Sequence, residues 1–101
     1  MPSRRKTSLP DKLQGATKKN IIGERLRLAR HHHTPPLTAD ALSALVYERY
    51  GLDITPNMIS KVEGGFRAAF DYEVRAFAAV LKLSSDWLLG LTERKTLLTD
   101  T

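Results

Sequence analysis

The segment from Thr55 to Gly65 constrains the fold more than any other part of this chain. Thr55 is a good N-cap, and Pro56 suits the first helical position, where its missing N–H costs nothing. Gly64 and Gly65 are expected to end the helix, because glycine readily adopts the left-handed cap conformation. The sequence therefore predicts a short helix of about two and a half turns with well-defined ends.

The same segment has two different faces at helical spacing. Met58, Ile59 and Val62 recur on one side, which is expected to face the core. The residues left on the outer face are Asn57, Ser60, Lys61 and Gly64. The helix therefore combines an apolar inner face with a largely polar outer face.

Four further segments show apolar residues at helical spacing. Their stripes contain Ile22, Leu26 and Ala29; Leu42, Leu45, Val46 and Tyr50; Val74, Phe77, Ala78 and Leu81; and Trp87, Leu88 and Leu89. The expected helices run from about Asn20 to Arg30, from an N-cap at Thr38 to Gly51, from an N-cap at Asp71 to about Lys82, and from Ser84 or Ser85 onward. No strand-like alternation is present, so the predicted fold class is all-α, a compact five-helix bundle with a small core.

Composition limits the class of protein. A chain of 101 residues with 42% hydrophobic residues has room for one domain, predicted at residues 20–91 between a flexible basic arm at 1–19 and a tail at 92–101. The absence of cysteine excludes disulfides, thiolate metal sites and a cysteine nucleophile. No apolar run approaches the ~18 residues of a membrane span, and no signal-peptide pattern is found, so we expect a cytoplasmic protein.

Positive charge is concentrated at the start of the chain. The net charge is +5, but residues 1–30 carry nine basic and two acidic residues, whereas the rest of the chain carries a net −2. A basic arm on a near-neutral body attracts polyanions, either nucleic acid or an anionic membrane surface. The alternative, that a basic tail only maintains solubility, stays open at this point.

Five stretches of the body occur in an order typical of one known family. They are residues 22–30 (IGERLRLAR), 37–42 (LTADAL), 54–65 (ITPNMISKVEGG), 71–78 (DYEVRAFA) and 83–90 (LSSDWLLG). On these stretches the chain resembles the phage-repressor/Cro-like (XRE-type) helix-turn-helix family of bacteria and phages. The resemblance covers about 70 of 101 residues and implies a lambda-repressor-like DNA-binding domain.

The resemblance implies a role for the outer face of the helix at 55–63. This would be the recognition helix, which lies in the major groove of double-stranded DNA, and its base-contacting residues would be Pro56, Asn57, Ser60 and Lys61. Asparagine can form two hydrogen bonds with an adenine edge, and lysine can reach the acceptors of guanine. The alternative is an ordinary solvated helix face.

Phosphate contacts are also implied by the resemblance. They would come from the start of the second helix, the cap of the third and the following loop: Thr38, Ala39, Thr55, Gly65, Phe66 and Arg67. Arg67 is the main candidate because it is cationic. The family commonly has glutamine where Ala39 stands, so one contact fewer is expected, and the N-terminal arm would then supply much of the nonspecific affinity.

The remaining charged groups suggest structural roles. Arg30 and Glu63 match a family pair that forms a salt bridge and orients the recognition helix; the alternative is two independent surface charges. Three consecutive histidines, His31 to His33, cannot easily converge on one ion, so we expect a solvated helix end and no metal site. No catalytic grouping is evident, so neither an enzyme nor a cofactor is expected.

These observations predict a sequence-specific transcriptional regulator, with a repressor expected although an activator would look alike. We expect a homodimer on an inverted repeat with half-sites about one turn, ~34 Å, apart, paired through the fifth helix and the tail around Leu97 and Leu98. One alternative is an antitoxin-type or other protein-interaction module with a partner protein. The other is a basic protein that binds RNA or a membrane through residues 1–30 alone.

Overall fold

Residues 18–95 are described in the computed structural model, and they fold into five α-helices. These are α1 (Gly23–His32), α2 (Ala39–Tyr50), α3 (Pro56–Gly64), α4 (Asp71–Leu81) and α5 (Ser85–Leu88). This part of the chain contains no strand, and the predicted all-helical class is confirmed for it. None of its helices has the length and apolar character that a membrane crossing requires. Most of the predicted arm, and Leu97 and Leu98 of the predicted tail, lie outside the described residues.

Local capping chemistry sets most of the helix ends. The predicted caps Thr38 and Thr55, and also Ser84, each accept a hydrogen bond from the backbone N–H three residues later, at 3.0, 3.1 and 3.3 Å. Gly51 and Gly65 end α2 and α3 in the left-handed conformation, with φ of 70° and 83°. The ends of α2 and α3 therefore follow directly from the residue types at those positions.

The start of α4 differs from the prediction. Phe70 is the N-cap and Asp71 is already the first helical residue, so the prediction of Asp71 as the cap is wrong. The Glu73 carboxylate accepts a hydrogen bond from the Phe70 backbone N–H at 3.0 Å. A carboxylate at the third helical position thus reaches back and satisfies the backbone N–H of the N-cap residue.

The bounds of α1 and α5 also differ from expectation. α1 begins at Gly23, because the Oδ1 atom of Asn20 accepts from the N–H groups of Ile22 and Gly23 at 2.9 and 2.8 Å and holds the preceding turn outside the helix. It continues to His32, since the next proline along the chain is Pro35. α5 ends at Leu88, and Leu89 is its C-cap.

All five helices or their flanking turns contribute to one core. α3 packs against α1 and α2, while α4 packs against α1, α2 and α5. The fully buried large side chains are Phe77, Ile22, Leu26, Leu42, Ile59, Leu88, Val46 and Val62. Two neighbouring helices therefore hold the inner face of α3, and its other face points outward.

Gly23 lies where α1 crosses the end of α3. A Cβ atom at this position would lie 2.5 Å from the carbonyl oxygen of Val62 and 2.8 Å from that of Glu63. These neighbours are backbone atoms, which cannot rotate away as a side chain does. Only glycine allows the two helices to come this close.

We expect Gly23→Ala to destabilise the protein by about 1–3 kcal/mol, because the added methyl group must force α1 and α3 apart. This would occur even though alanine favours the helix more than glycine does. The measurement is the free energy of unfolding in urea, followed by circular dichroism.

Gly64→Ala is the matched control. Its Cβ atom would meet the ring of Phe66 at 2.8 Å, but that ring is exposed and can move. The control is therefore expected to retain or gain stability. An unchanged urea midpoint for Gly23→Ala would contradict the close crossing of the two helices.

Candidate nucleic-acid interface

The outer face of α3 is polar and accessible. Asn57, Ser60 and Lys61 are exposed, while Pro56 is half-buried. Within residues 18–95, the side chains of Asn57, Ser60 and Lys61 form no hydrogen bond or ion pair. An amide, a hydroxyl and an ammonium group on one short helix can therefore all bond to an external partner.

Each threonine that is predicted to contact phosphate at a helix N-terminus keeps one hydrogen-bond donor. The Oγ1 atoms of Thr38 and Thr55 accept capping hydrogen bonds, and both residues are exposed, so each hydroxyl hydrogen is still available for donation. Ala39 is the first residue of α2 and half-buried. Its methyl group offers no polar atom, but the first N–H groups of a helix have no partner within the helix and lie at its positive end.

Two residues of the loop after α3 use their donors internally. The N–H of Gly65 donates to the carbonyl of Val62 at 3.0 Å, and the N–H of Phe66 donates to that of Lys61 at 2.8 Å. The Phe66 ring is 76% exposed, but it carries no polar atom. The cap that ends α3 thus occupies two backbone donors that the resemblance assigns to phosphate.

Arg67 is paired within the protein. Its guanidinium donates to both carboxylate oxygens of Glu73 at 2.9 Å and to the carbonyl oxygen of Ala68 at 3.1 Å. The Glu73 side chain is only 4% exposed. This pair was not predicted from the sequence, although Glu73 is only six residues away and could have been considered as a partner.

This pair changes the protonation behaviour of Glu73. Burial raises the pKa of its carboxyl group, but hydrogen bonds from Arg67 and from the Phe70 backbone outweigh that effect, so the net pKa lies below the ordinary value of 4.5. Hydrogen bonding to Glu73 in turn raises the pKa of Arg67. The carboxylate is therefore ionised at neutral pH and holds Arg67 in a fixed orientation.

A second ion pair joins α1 to the end of α3. Arg30 Nε and Nη2 donate to the two oxygens of Glu63 at 2.7 and 2.8 Å, and Arg30 Nη1 donates to the carbonyl of Leu37 at 2.9 Å. The two side chains are 13% and 8% exposed, and hydrogen bonding to Glu63 raises the pKa of Arg30. The bidentate geometry fixes both distance and angle, so this pair orients α3 relative to α1.

The start of the described chain lies beside the C-terminal end of α3. Lys19 N–H donates to the Gly65 carbonyl at 2.9 Å, and the Lys18 side chain covers Gly65 so closely that a Cβ there would lie 2.8 Å from Lys18 Cγ. Asn20 Nδ2 donates to the carbonyls of Val62 and Arg67 at 2.9 and 2.8 Å. Lys18 and Lys19, the last two residues of the predicted flexible arm, thus contact the C-terminal end of α3.

The histidines lie at the end of α1. His31 and His32 are exposed, and His33 Nδ1 lies 2.8 Å from the carbonyl oxygen of Pro35. Across residues 18–95, no three side chains of the metal-binding types are grouped closely enough to hold an ion.

No family model, curated protein or solved structure matches this chain. The resemblance to the XRE-type family therefore stays a prediction from the sequence stretches. A functional conclusion depends on the geometry of α3 and its surroundings.

The pKa of Glu73 leads to a prediction for stability against pH. Because the folded pKa is lowered, the carboxylate stabilises the protein above its unfolded pKa near 4.5, and this contribution is lost as the pH falls through the folded pKa. We expect Glu73→Gln to cost about 1.5–3 kcal/mol at neutral pH and to show a smaller further loss in acid. Urea unfolding between pH 7 and pH 3 measures both effects.

Glu48→Gln, at an exposed position of α2, is the control for loss of a carboxylate. It should change stability by less than about 0.5 kcal/mol and keep the wild-type pH dependence. Parallel pH profiles for the wild type and Glu73→Gln would show that the Arg67 pair does not stabilise the fold.

Proposed function

We propose that this protein is a sequence-specific double-stranded DNA-binding transcriptional regulator of the helix-turn-helix type. It acts as a repressor by occupying its site, with α3 as the recognition helix. The observation that supports this function best is the exposed polar face of α3. The helix is capped at both ends by its own residues, its inner face is buried against α1 and α2, and its Glu63 is held by Arg30 of α1.

The dimensions of α3 suit a DNA groove. An α-helix with its side chains is about 10–12 Å across, and the major groove is about 12 Å wide, so the groove admits an exposed helix such as α3. Asn57 lies in the first turn, and Ser60 and Lys61 follow one turn later on the same side. In the proposed complex, Asn57 binds an adenine edge, Lys61 reaches guanine acceptors, and Pro56 makes apolar contact.

Phosphate binding is proposed for the groups that keep a free donor. These are the hydroxyls of Thr38 and Thr55 and the backbone N–H of Ala39 at the positive end of α2. Arg67 retains its Nε hydrogen after pairing with Glu73, but much of its charge is neutralised by that pair. Contacts by Gly65 and Phe66 rest on the resemblance alone.

The charge of the protein is compatible with a polyanionic ligand. Residues 18–95 carry twelve basic and nine acidic residues, a net +3, against +5 for the whole chain. Specific DNA binding draws affinity from cations near phosphate and specificity from groups that reach base edges. In this proposal α3 supplies the specificity, and the basic residues near the N-terminus add to the affinity.

The test is selection of bound duplexes from a random DNA pool, run in parallel with wild type and with Asn57→Ala/Lys61→Ala. We expect the wild type to enrich a palindromic motif and the double variant to lose it. Removal of each base-reading side chain should weaken binding to that motif by roughly 5- to 150-fold, with a much smaller effect on unrelated DNA.

Arg94→Ala is the control, because it removes one positive charge at an exposed position after α5. It should keep the motif with nearly full affinity. Salt-sensitive binding without any enriched motif would contradict sequence-specific readout by α3.

A second experiment separates readout by α3 from binding by the arm. Replacing Arg4, Arg5, Lys6 and Lys12 with glutamine in the full chain should weaken binding to all DNA. The slope of log affinity against log salt should become shallower by up to about 0.9 for each phosphate that the arm no longer neutralises. The selected motif should not change. If binding disappears in this variant but survives Asn57→Ala/Lys61→Ala, the arm binds alone and the proposed role of α3 is wrong.

A further inference from the structure

Phe66, directly after the cap that ends α3, is the most exposed large apolar side chain within residues 18–95. Its ring is 76% exposed, whereas Phe70 is 51% exposed. Phe70 stacks on Tyr72 and lies below the Arg67 guanidinium, but the Phe66 ring has no aromatic or cation–π partner in this part of the chain. A single exposed apolar residue is common on protein surfaces, so the position of this ring decides what it can do.

Gly64 sets the position of the Phe66 ring. A Cβ atom on Gly64 would lie 2.8 Å from both Cδ2 and Cε2 of Phe66, so the ring lies directly against the last turn of α3. Gly64 is exposed and follows Asn57 by seven residues, about two helical turns, so both lie on the outer face of the helix. The ring therefore forms the C-terminal end of the surface that displays Asn57, Ser60 and Lys61.

Positive charge lies close to this apolar end of α3. Lys61 is exposed on the same face, and the half-exposed Lys18 covers the neighbouring Gly65. Lys18 Nζ is 3.8 Å from Glu24, but such an exposed pair neutralises little of its attraction for an anion. An apolar ring among cations suits a ligand that displays apolar groups between negative charges.

Double-stranded DNA offers such an apolar group in its major groove. The C5-methyl group of thymine projects into this groove between the two phosphate backbones, and phenylalanine is one of the side chains that contact it. The Phe66 ring has neither a donor nor a charge with which to bind phosphate. The methyl group of a base is therefore the better ligand for this ring.

We propose that Phe66 recognises thymine, through contact of its ring with the C5-methyl group of one thymine in the DNA site. This inference rests on the proposed function and replaces the phosphate contact that the resemblance implies for Phe66. Gly64 lies about 10.5 Å beyond Asn57 along the helix, and successive base pairs are about 3.4 Å apart. The recognised thymine is thus expected about three base pairs from the base that Asn57 binds.

The test uses the motif selected by wild type, with each thymine replaced in turn by deoxyuridine. Deoxyuridine pairs with adenine in the same way and lacks only the C5-methyl group. By fluorescence anisotropy at fixed salt, we expect one replacement to raise the Kd of wild type about three- to tenfold, because an apolar contact is lost. The same replacement should change the Kd of Phe66→Ala by less than about 1.5-fold, because this variant has no ring to lose.

Phe70→Ala is the matched control, because it removes the other exposed phenylalanine, which lies at the start of α4. It should keep both the wild-type Kd and the deoxyuridine penalty. Phe66→Leu keeps an apolar side chain and should keep part of the penalty. Circular dichroism verifies that each variant is folded.

The outcomes separate this inference from the proposed function. If a motif is selected but Phe66→Ala binds it as tightly as wild type, or keeps every deoxyuridine penalty, only the role of Phe66 is wrong. The same holds if no thymine methyl group of the motif affects wild-type binding. If no motif is selected at all, the proposed function is wrong and the recognition of thymine is wrong with it.

Discussion

The contact between Gly23 and the last turn of α3 is the constraint on which the rest of the structure depends. Because position 23 lacks a side chain, α1 comes within contact of the Val62 and Glu63 carbonyls. This brings Asn20 within reach of the Val62 carbonyl and Arg30 within reach of the Glu63 carboxylate. A wider crossing would break both interactions and take one of the two acceptors from the buried Nδ2 group of Asn20, which is costly.

Three arginines of the described chain are paired within the protein. Arg25, Arg30 and Arg67 each hold a carboxylate within the protein, and Arg25 also lies over the Trp87 ring at 4.8 Å. Their charges orient the helices and contribute little to attraction of a polyanion. The number of arginines in the sequence therefore overstates how many free cations the described part of the chain offers to phosphate, and the exposed Lys61 becomes more important in the proposed interface.

Local chemistry made several features predictable from the sequence. Thr55, Pro56 and Gly65 specify the ends of α3 without help from the rest of the fold, and the spacing of Ile59 and Val62 specifies its buried face.

The features that could not be predicted depend on partners distant in sequence. Asn20 resembles any other polar residue until the fold brings it to carbonyl groups 42 and 47 residues away. Asp71 was expected to be the cap because the sequence pattern could not show that the Glu73 carboxylate is buried and accepts from the Phe70 backbone N–H.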